Sequence, residues 1–174
     1  KPLPTEFSKT QWQPHWRTIT GSNSVQIYEA RTKDVNGLLT TSFLGLATPV
    51  KDNRLMPAGW NANGPYASWT APVAVPTSSP GYYNGAGNDL VTYRIPAALA
   101  GQVRQVRAVL NYQSIPPYYL QDRFTIGGNN PATAQLRALV EQVNYVGTPA
   151  QGWKLPVASA AALVVVPTPA VATR

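Results

Sequence analysis

The clearest alternation of apolar and polar positions lies in Gln102–Ser114. Val106, Ala108, Leu110 and Tyr112 fall on one side of an extended chain, and Gln105, Arg107, Asn111 and Gln113 on the other. This period of two predicts a strand. Leu90–Pro96, with Val91, Tyr93 and Ile95 on one face, predicts a second. The gap Ala97–Gly101 has hairpin length, so the two are expected to pair antiparallel, one face on the core and one wet. Ser24–Ala30 predicts a further strand, with Val25 and Ile27 alternating with Gln26 and Tyr28. Leu38–Leu46 is apolar and Thr-rich, a strand with a buried helical turn as the alternative, and Trp153–Ala158 is a last strand candidate. Between them Asp34-Val-Asn-Gly37 is turn chemistry, with Gly37 free to take positive φ. Helical spacing is clearest at Leu136, Leu139, Val140 and Val143, at i, i+3, i+4 and i+7. Asn130 before Pro131 supplies an N-cap and a first helical residue. A shorter helix is predicted to start at Pro116-Pro117 and run towards Phe124.

Short strands joined by Pro- and Gly-rich connections, without βαβ alternation, predict a mainly β chain. The expected architecture is an antiparallel, jelly-roll-like β-sandwich over residues 24–158, with one α-helix in its C-terminal half. Extended arms are expected at 1–23, where Trp12 and Trp16 are anchors for another surface, and at the Pro- and Ala-rich 159–174. The loop 56–89 has no strong period but carries Trp60, Tyr66, Trp69, Tyr82 and Tyr83. Disordered segments are poor in aromatics, so an ordered loop packed on something is expected.

Composition narrows the chemistry. The 174 residues hold no Cys, one His and seven acids. Without thiols there can be no covalent c-type haem, thiolate zinc, disulfide or cysteine nucleophile. The net charge is +7 and the pI about 9.9. Such a surface suits an anionic partner, but the cations are scattered, and nucleic-acid binding is not expected. The longest apolar run, Val157–Val166, is shorter than the ~20 residues of a spanning helix. A start at Lys1 without Met fits a chain processed after export or otherwise trimmed.

The remaining candidates are few. His15 could be an axial or metal ligand, but a lone His between Pro14 and Trp16 is read as structural. Asp52, Asp122 and Glu141 could act as general acids or bases. Asp52 beside Arg54 and Asp122 beside Arg123 are instead read as loop and helix fasteners. The stretch Asn84-Gly-Ala-Gly-Asn-Asp89 lacks the preceding strand and the Lys of a phosphate cradle, so it is read as turns. Tyr112 is assigned to the core face of its strand. The loop aromatics admit three readings: packing on the chain itself, a protein-docking patch, or a sugar-stacking platform. Tyr82 and Tyr83, flanked by Pro80-Gly81 and Gly85, are expected to be the exposed members.

An ordered series of blocks points further: His15, VQIYE at 25–29, TTSFL at 40–44, KDNRLMPAGW at 51–60, VTYRI at 91–95, LNYQSIPPYYL at 110–120 and WKL at 153–155. The series resembles the haem-free, β-rich domain at the C-terminal end of bacterial multihaem c-type cytochrome family proteins. It covers about 15–155. The Cys-x-x-Cys-His haem sites of that family are missing here, so the resemblance carries no redox activity and no cofactor is expected. It implies an exported, periplasmic protein that accompanies cytochromes. The expected function is a non-catalytic, extrinsic accessory subunit that docks on and stabilises a membrane electron-transfer complex. That complex is respiratory, or a photosynthetic reaction centre with a cytochrome subunit. Membrane contact is then peripheral, through protein partners. Trp12, Trp16, Trp60, Tyr66, Trp69, Tyr82 and Tyr83 are the docking candidates, and no catalytic, cofactor or metal residue is assigned. The alternative is a carbohydrate-binding module that uses Trp60, Trp69, Tyr82 and Tyr83. A hydrolase with an unrecognised site is the third and weakest reading.

Overall fold

A computed structural model describes residues 3–164. In chain order it contains β1 (Thr18–Ile19), β2 (Ala30–Lys33), β3 (Leu39–Thr40), β4 (Thr48–Asp52), α1 (Ala67–Thr70), β5 (Thr92–Tyr93), α2 (Ala97–Ala100), β6 (Gln105–Tyr112), α3 (Pro117–Ile126), α4 (Pro131–Gln142) and β7 (Leu155–Leu163). Short 3-10 turns occur at Pro4–Phe7, Phe43–Gly45 and Gln151–Trp153. The chain divides into two compact units. The first comprises Lys1–Arg94 with Ile115–Val143, and the second Ile95–Ser114 with Asn144–Arg174.

In the first unit, β2 pairs antiparallel with both β3 and β4, and β1 pairs parallel with β5. The β2–β3 connection is held by Asp34, whose Oδ1 accepts from the amides of Asn36 and Leu38 at 2.9 Å. Gly37 sits there at φ +81°, as the turn chemistry predicts. Helix α3 starts on Pro117 and stops at Gly127, whose amide donates to the Arg123 carbonyl. Helix α4 is capped as predicted: the Asn130 side chain accepts from the Ala132 amide at 2.9 Å. Its apolar stripe is not buried, however; Leu136, Leu139 and Val143 are all exposed.

The interior of this unit is more polar than apolar. Its buried hydrophobic side chains are Ile19, Leu39, Met56, Val75 and Tyr82, whereas Glu6, Gln13, His15, Glu29, Arg31, Lys51, Asn53, Ser79 and Asp122 are also buried. Directional bonds therefore position the chain here more than area burial does. They also explain a missing element. Residues 24–29 form no regular strand, because side chains occupy their backbone groups. Gln13 Oε1 accepts from the Val25 amide, Asn53 Oδ1 accepts from the Glu29 amide, and Lys51 Nζ and Asn53 Nδ2 both donate to the Ile27 carbonyl.

The second unit, among the described residues, is a ribbon of β6 and β7 with α2 before it. The strands pair antiparallel from Gln105 opposite Leu163 to Tyr112 opposite Leu155, with a bulge between Leu110 and Asn111. Tyr145 packs on Trp153 at 4.7 Å between ring centroids.

Several expectations are corrected. Among the described residues the structure is mixed α and β, and its strands form three small sheets, the largest of three strands, rather than one clear sandwich. The predicted hairpin of Leu90–Pro96 with Gln102–Ser114 does not form. Ala-rich Ala97–Ala100 turns into α2 after Pro96, β5 joins β1, and β6 joins β7. Within 1–23, Glu6, Gln13, His15 and Ile19 are buried, so this segment is part of the first unit and not a detached arm. In the C-terminal arm, residues 159–163 belong to β7, and 165–174 lie outside the described residues.

Candidate functional site

The chemistry-bearing side chains of the first unit converge in two buried clusters. Antiparallel pairing of β2 with β4 places Arg31 directly opposite Lys51. Like charges so placed repel. Glu29 lies between them, with Oε1 3.0 Å from Lys51 Nζ and Oε2 3.7 Å from Arg31 Nη1. Lys51 is completely buried and its ammonium also donates to the Ile27 carbonyl at 2.8 Å. Burial holds the Lys51 pKa below its ordinary value, against the pull of Glu29. The Arg31 guanidinium lies 3.6 Å over the Tyr118 ring, which fastens α3 to β2. Burial, followed by the nearby Glu29, pushes the Tyr118 phenol up to about 12. Burial and then Glu29 also raise the Glu6 carboxyl. Asp122 completes the α3 attachment. It accepts from the Thr41 amide and hydroxyl at 2.7 and 2.8 Å and pairs with Lys9, while Arg123 donates to the Thr41 carbonyl at 2.9 Å.

The second cluster surrounds His15. The Gln26 and Asn53 amide nitrogens lie 3.0 and 3.3 Å from its Nδ1. Both can only donate, so Nδ1 accepts and the proton belongs on Nε2. Nε2 faces Asp89 Oδ2 at 3.8 Å, and both side chains are almost wholly buried. Burial lowers the His15 pKa, opposed by Asp89. Tyr28 donates to the same Asp89 oxygen at 2.7 Å. Its phenol is raised, first by burial and then by this bond. Tyr82 closes the cluster edge-on, 5.2 Å from the imidazole, and donates to the Arg54 carbonyl at 2.6 Å.

A histidine beside a carboxylate is general-base material. Here Nδ1 is filled by two amides, and the side chain has no solvent exposure. The cluster therefore acts as a clamp. It joins the N-terminal segment, residues 26–28, the end of β4 and the Gly-rich stretch that ends at Asp89. Asp52 fastens its loop as expected, with Arg54 bonding both of its oxygens at 2.9 and 2.6 Å, whereas Asp122 holds Lys9 and Thr41 and not its neighbour Arg123. The Asp52–Arg54 bond holds the Asp52 carboxyl low and the Arg54 guanidinium high. Among the described residues, no three His, Cys, Asp or Glu side chains converge as a metal-binding group.

The aromatic candidates divide sharply. Tyr82, expected to be exposed, is 1% exposed, in a cluster with Met56 and Val75 onto which Trp60 and Tyr83 pack. Tyr83 is half-buried, 5.2 Å from Tyr82 and 6.2 Å from Trp60, and donates to the Val75 carbonyl. Trp12 is half-buried with Lys33 Nζ 5.4 Å from its ring, and Trp16 is half-buried with Nε1 donating to Gln13. Tyr66 and Trp69 differ from all of these. They are 68% and 86% exposed and lie side by side, 6.3 Å between ring centroids and tilted 50°. Their loop is tied down close by, since Trp60 Nε1 donates to Thr70 Oγ1 at 2.9 Å. Phe43 and Leu44, on the 3-10 turn after β3, are 83% and 95% exposed and were not anticipated as surface candidates. The roles of Gln26, Glu29, Arg31, Asn53 and Asp89 were likewise not anticipated. The polar knot Lys51–Arg54 before Leu55 is the one sequence signal that could have found part of that network.

Comparison with known proteins finds no matching family model, no similar curated protein and no similar solved structure. No helix among the described residues is long and apolar enough to cross a membrane.

Proposed function

We propose that this chain is a non-catalytic, extrinsic accessory subunit, periplasmic, that docks on a membrane electron-transfer complex and stabilises it. The observation that carries the reading is the Tyr66–Trp69 pair, two large aromatics held open to solvent on a fastened loop. Amphipathic rings on a pre-ordered support are the residue types that anchor protein interfaces, because little side-chain freedom is lost when they are covered. Buried charges paired within the fold, Lys51 with Glu29 and Asp122 with Lys9, support the same reading. The class of partner, a respiratory complex or a photosynthetic reaction centre with a cytochrome subunit, rests on the resemblance of the sequence blocks from His15 to Leu155 alone.

The test is native-gel separation of gently solubilised membranes with mass spectrometry of the band that contains this chain. Co-migration with haem- or pigment-bearing subunits is expected, and Trp69→Ser should abolish it. Recovery only as a free ~19 kDa species, at the mass of one chain, refutes the reading.

The same pair favours one second reading. A tilted Tyr–Trp platform with Asn61, Asn63 and Ser68 exposed nearby suits the apolar face of a sugar ring. Of the expected set Trp60, Trp69, Tyr82 and Tyr83, Tyr82 is buried and Trp60 and Tyr83 are half-buried against it, so only Trp69 stays open, with Tyr66 as its neighbour. Silence on a glycan array with the fold intact removes it.

A further inference from the structure

The ribbon of the second unit has two unlike faces. Residues opposite each other on paired strands share a face. The register places Val106 with Ala162, Ala108 with Ala160, Leu110 with Ala158 and, beyond the bulge, Tyr112 with Leu155. These eight positions carry no charge, and their one polar side-chain atom is the Tyr112 hydroxyl. All eight are exposed, Leu110 and Tyr112 by 51% and 57%. The opposite face is mixed, with Gln105, Arg107, Asn111 and Ser159 among Val109, Ala161 and Leu163. A two-stranded ribbon is marginal in water by itself, so an uncovered apolar face about 20 Å long calls for a cover.

Charge and chemistry select that cover. The described residues of this unit contain Arg104, Arg107 and Lys154 and no Asp or Glu. Such a unit is drawn to an anionic surface. A protein interface of this size would offer polar partners, at about one hydrogen bond per 100–200 Å². This face presents almost nothing to meet them. Hydrocarbon asks for no directional bond. A ribbon lying flat would also keep its open backbone edges at headgroup level, where water satisfies them.

We infer that the β6–β7 ribbon is a membrane-surface element, its Val106–Leu110–Tyr112–Leu155 face resting on an anionic lipid layer and the net positive charge of the unit drawing it there. The inference is independent of the accessory-subunit reading, because lipid alone tests it.

The experiment uses the full chain and vesicles of phosphatidylcholine, with and without phosphatidylglycerol. The absence of Cys allows one environment-sensitive dye to be attached at a chosen site. It is placed on the apolar face in Ala160→Cys and on the other face in Ser159→Cys. With anionic vesicles, the label at 160 is expected to shift to the blue and resist aqueous quencher, while the label at 159 stays wet. Binding should weaken with salt, and Arg104→Gln should weaken it about fivefold, more than Arg107→Gln on the opposite face. Absence of binding at low salt overturns the inference. So does an equal response of the two labels, which would mark general attraction of a basic protein. A shift at 160 that grows with protein concentration, without vesicles, overturns it in favour of a second copy of the chain. A shift caused by membrane-free acidic protein, and not by vesicles, overturns it in favour of a protein partner.

Discussion

Glu29→Gln should be among the most damaging single-atom changes this protein can suffer. The carboxylate is 8% exposed and stands between Lys51, fully buried, and Arg31, 4% exposed, which face each other across β2 and β4. Replacement by the amide keeps the shape but leaves two cations opposed without a counter-charge. Removal of one partner from a buried ion pair costs about 3–5 kcal/mol. Glu6 lies close to the same charges, and loss of Glu29 removes a repulsion that raises its pKa, so its carboxylate would partly offset the damage. The expected loss is therefore near the lower bound, about 3 kcal/mol, against a total stability of about 5–15 kcal/mol. Lys51→Met should cost less than Glu29→Gln, because Glu29 then remains paired with Arg31. Urea unfolding followed by Trp fluorescence reads both, and a loss of about 3 kcal/mol lowers the midpoint by about 1–3 M. A change below about 1 kcal/mol for Glu29→Gln, or the reverse order of the two variants, would refute the argument that Glu29 neutralises an opposed pair of buried cations.

Further predictions follow from the same geometry. His15 has a folded pKa below its unfolded 6.5. Between the two values the unfolded chain binds the proton and the folded chain does not, so stability must fall as pH drops through that window. Thermal melting across it should show the fall, and His15→Gln should flatten it; a melting temperature indifferent to pH there would contradict the neutral assignment. Gly87 sits at φ +69°, where a Cβ would lie 3.0 Å from the Ala58 amide nitrogen and 3.2 Å from the Met56 carbonyl. Gly87→Ala should cost about 1–3 kcal/mol, measurable as a lowered urea midpoint, whereas an unchanged midpoint would show that the loop yields freely. Tyr66→Ser with Trp69→Ser should leave stability within about 0.5 kcal/mol, since neither ring is buried. The same pair should remove the chain from its high-mass band on a native gel.

Local signals proved readable where one short stretch contains the whole cause. The Asn130 cap, the Pro117 helix start and the Asp34–Gly37 turn each satisfy their own backbone within a few residues. The alternation in Gln102–Ser114 likewise marks a strand, although its ends shrink to Gln105–Tyr112. Pairing was not readable, because no pattern within β6 names its partner. Val106, Leu110 and Tyr112 suit Ala162, Ala158 and Leu155 as well as they would suit the residues of Leu90–Pro96. The aromatic loop misled for a related reason. Gly81 and Gly85 around Tyr82 and Tyr83 suggested exposed rings, yet they are bends that turn both rings inward onto Met56, Val75 and Trp60.

By itself, the sequence determined what this protein cannot do with sulfur or with clustered histidines, where its capped helix and tight turn begin, and which strand has one apolar face. These depend on residue type or on neighbours within a few positions. Only the tertiary structure decided that Lys51 lies buried against Glu29, that His15 lies buried beside Asp89, that Tyr82 is core, and that Tyr66, Trp69 and the β6–β7 face remain open. Each of these is a meeting, or the lack of one, between residues distant in the chain, such as His15 with Asp89 or Leu110 with Ala158. Whether a charge is paired or a ring covered depends on those meetings and on the water they exclude, and neither is a property of any single segment.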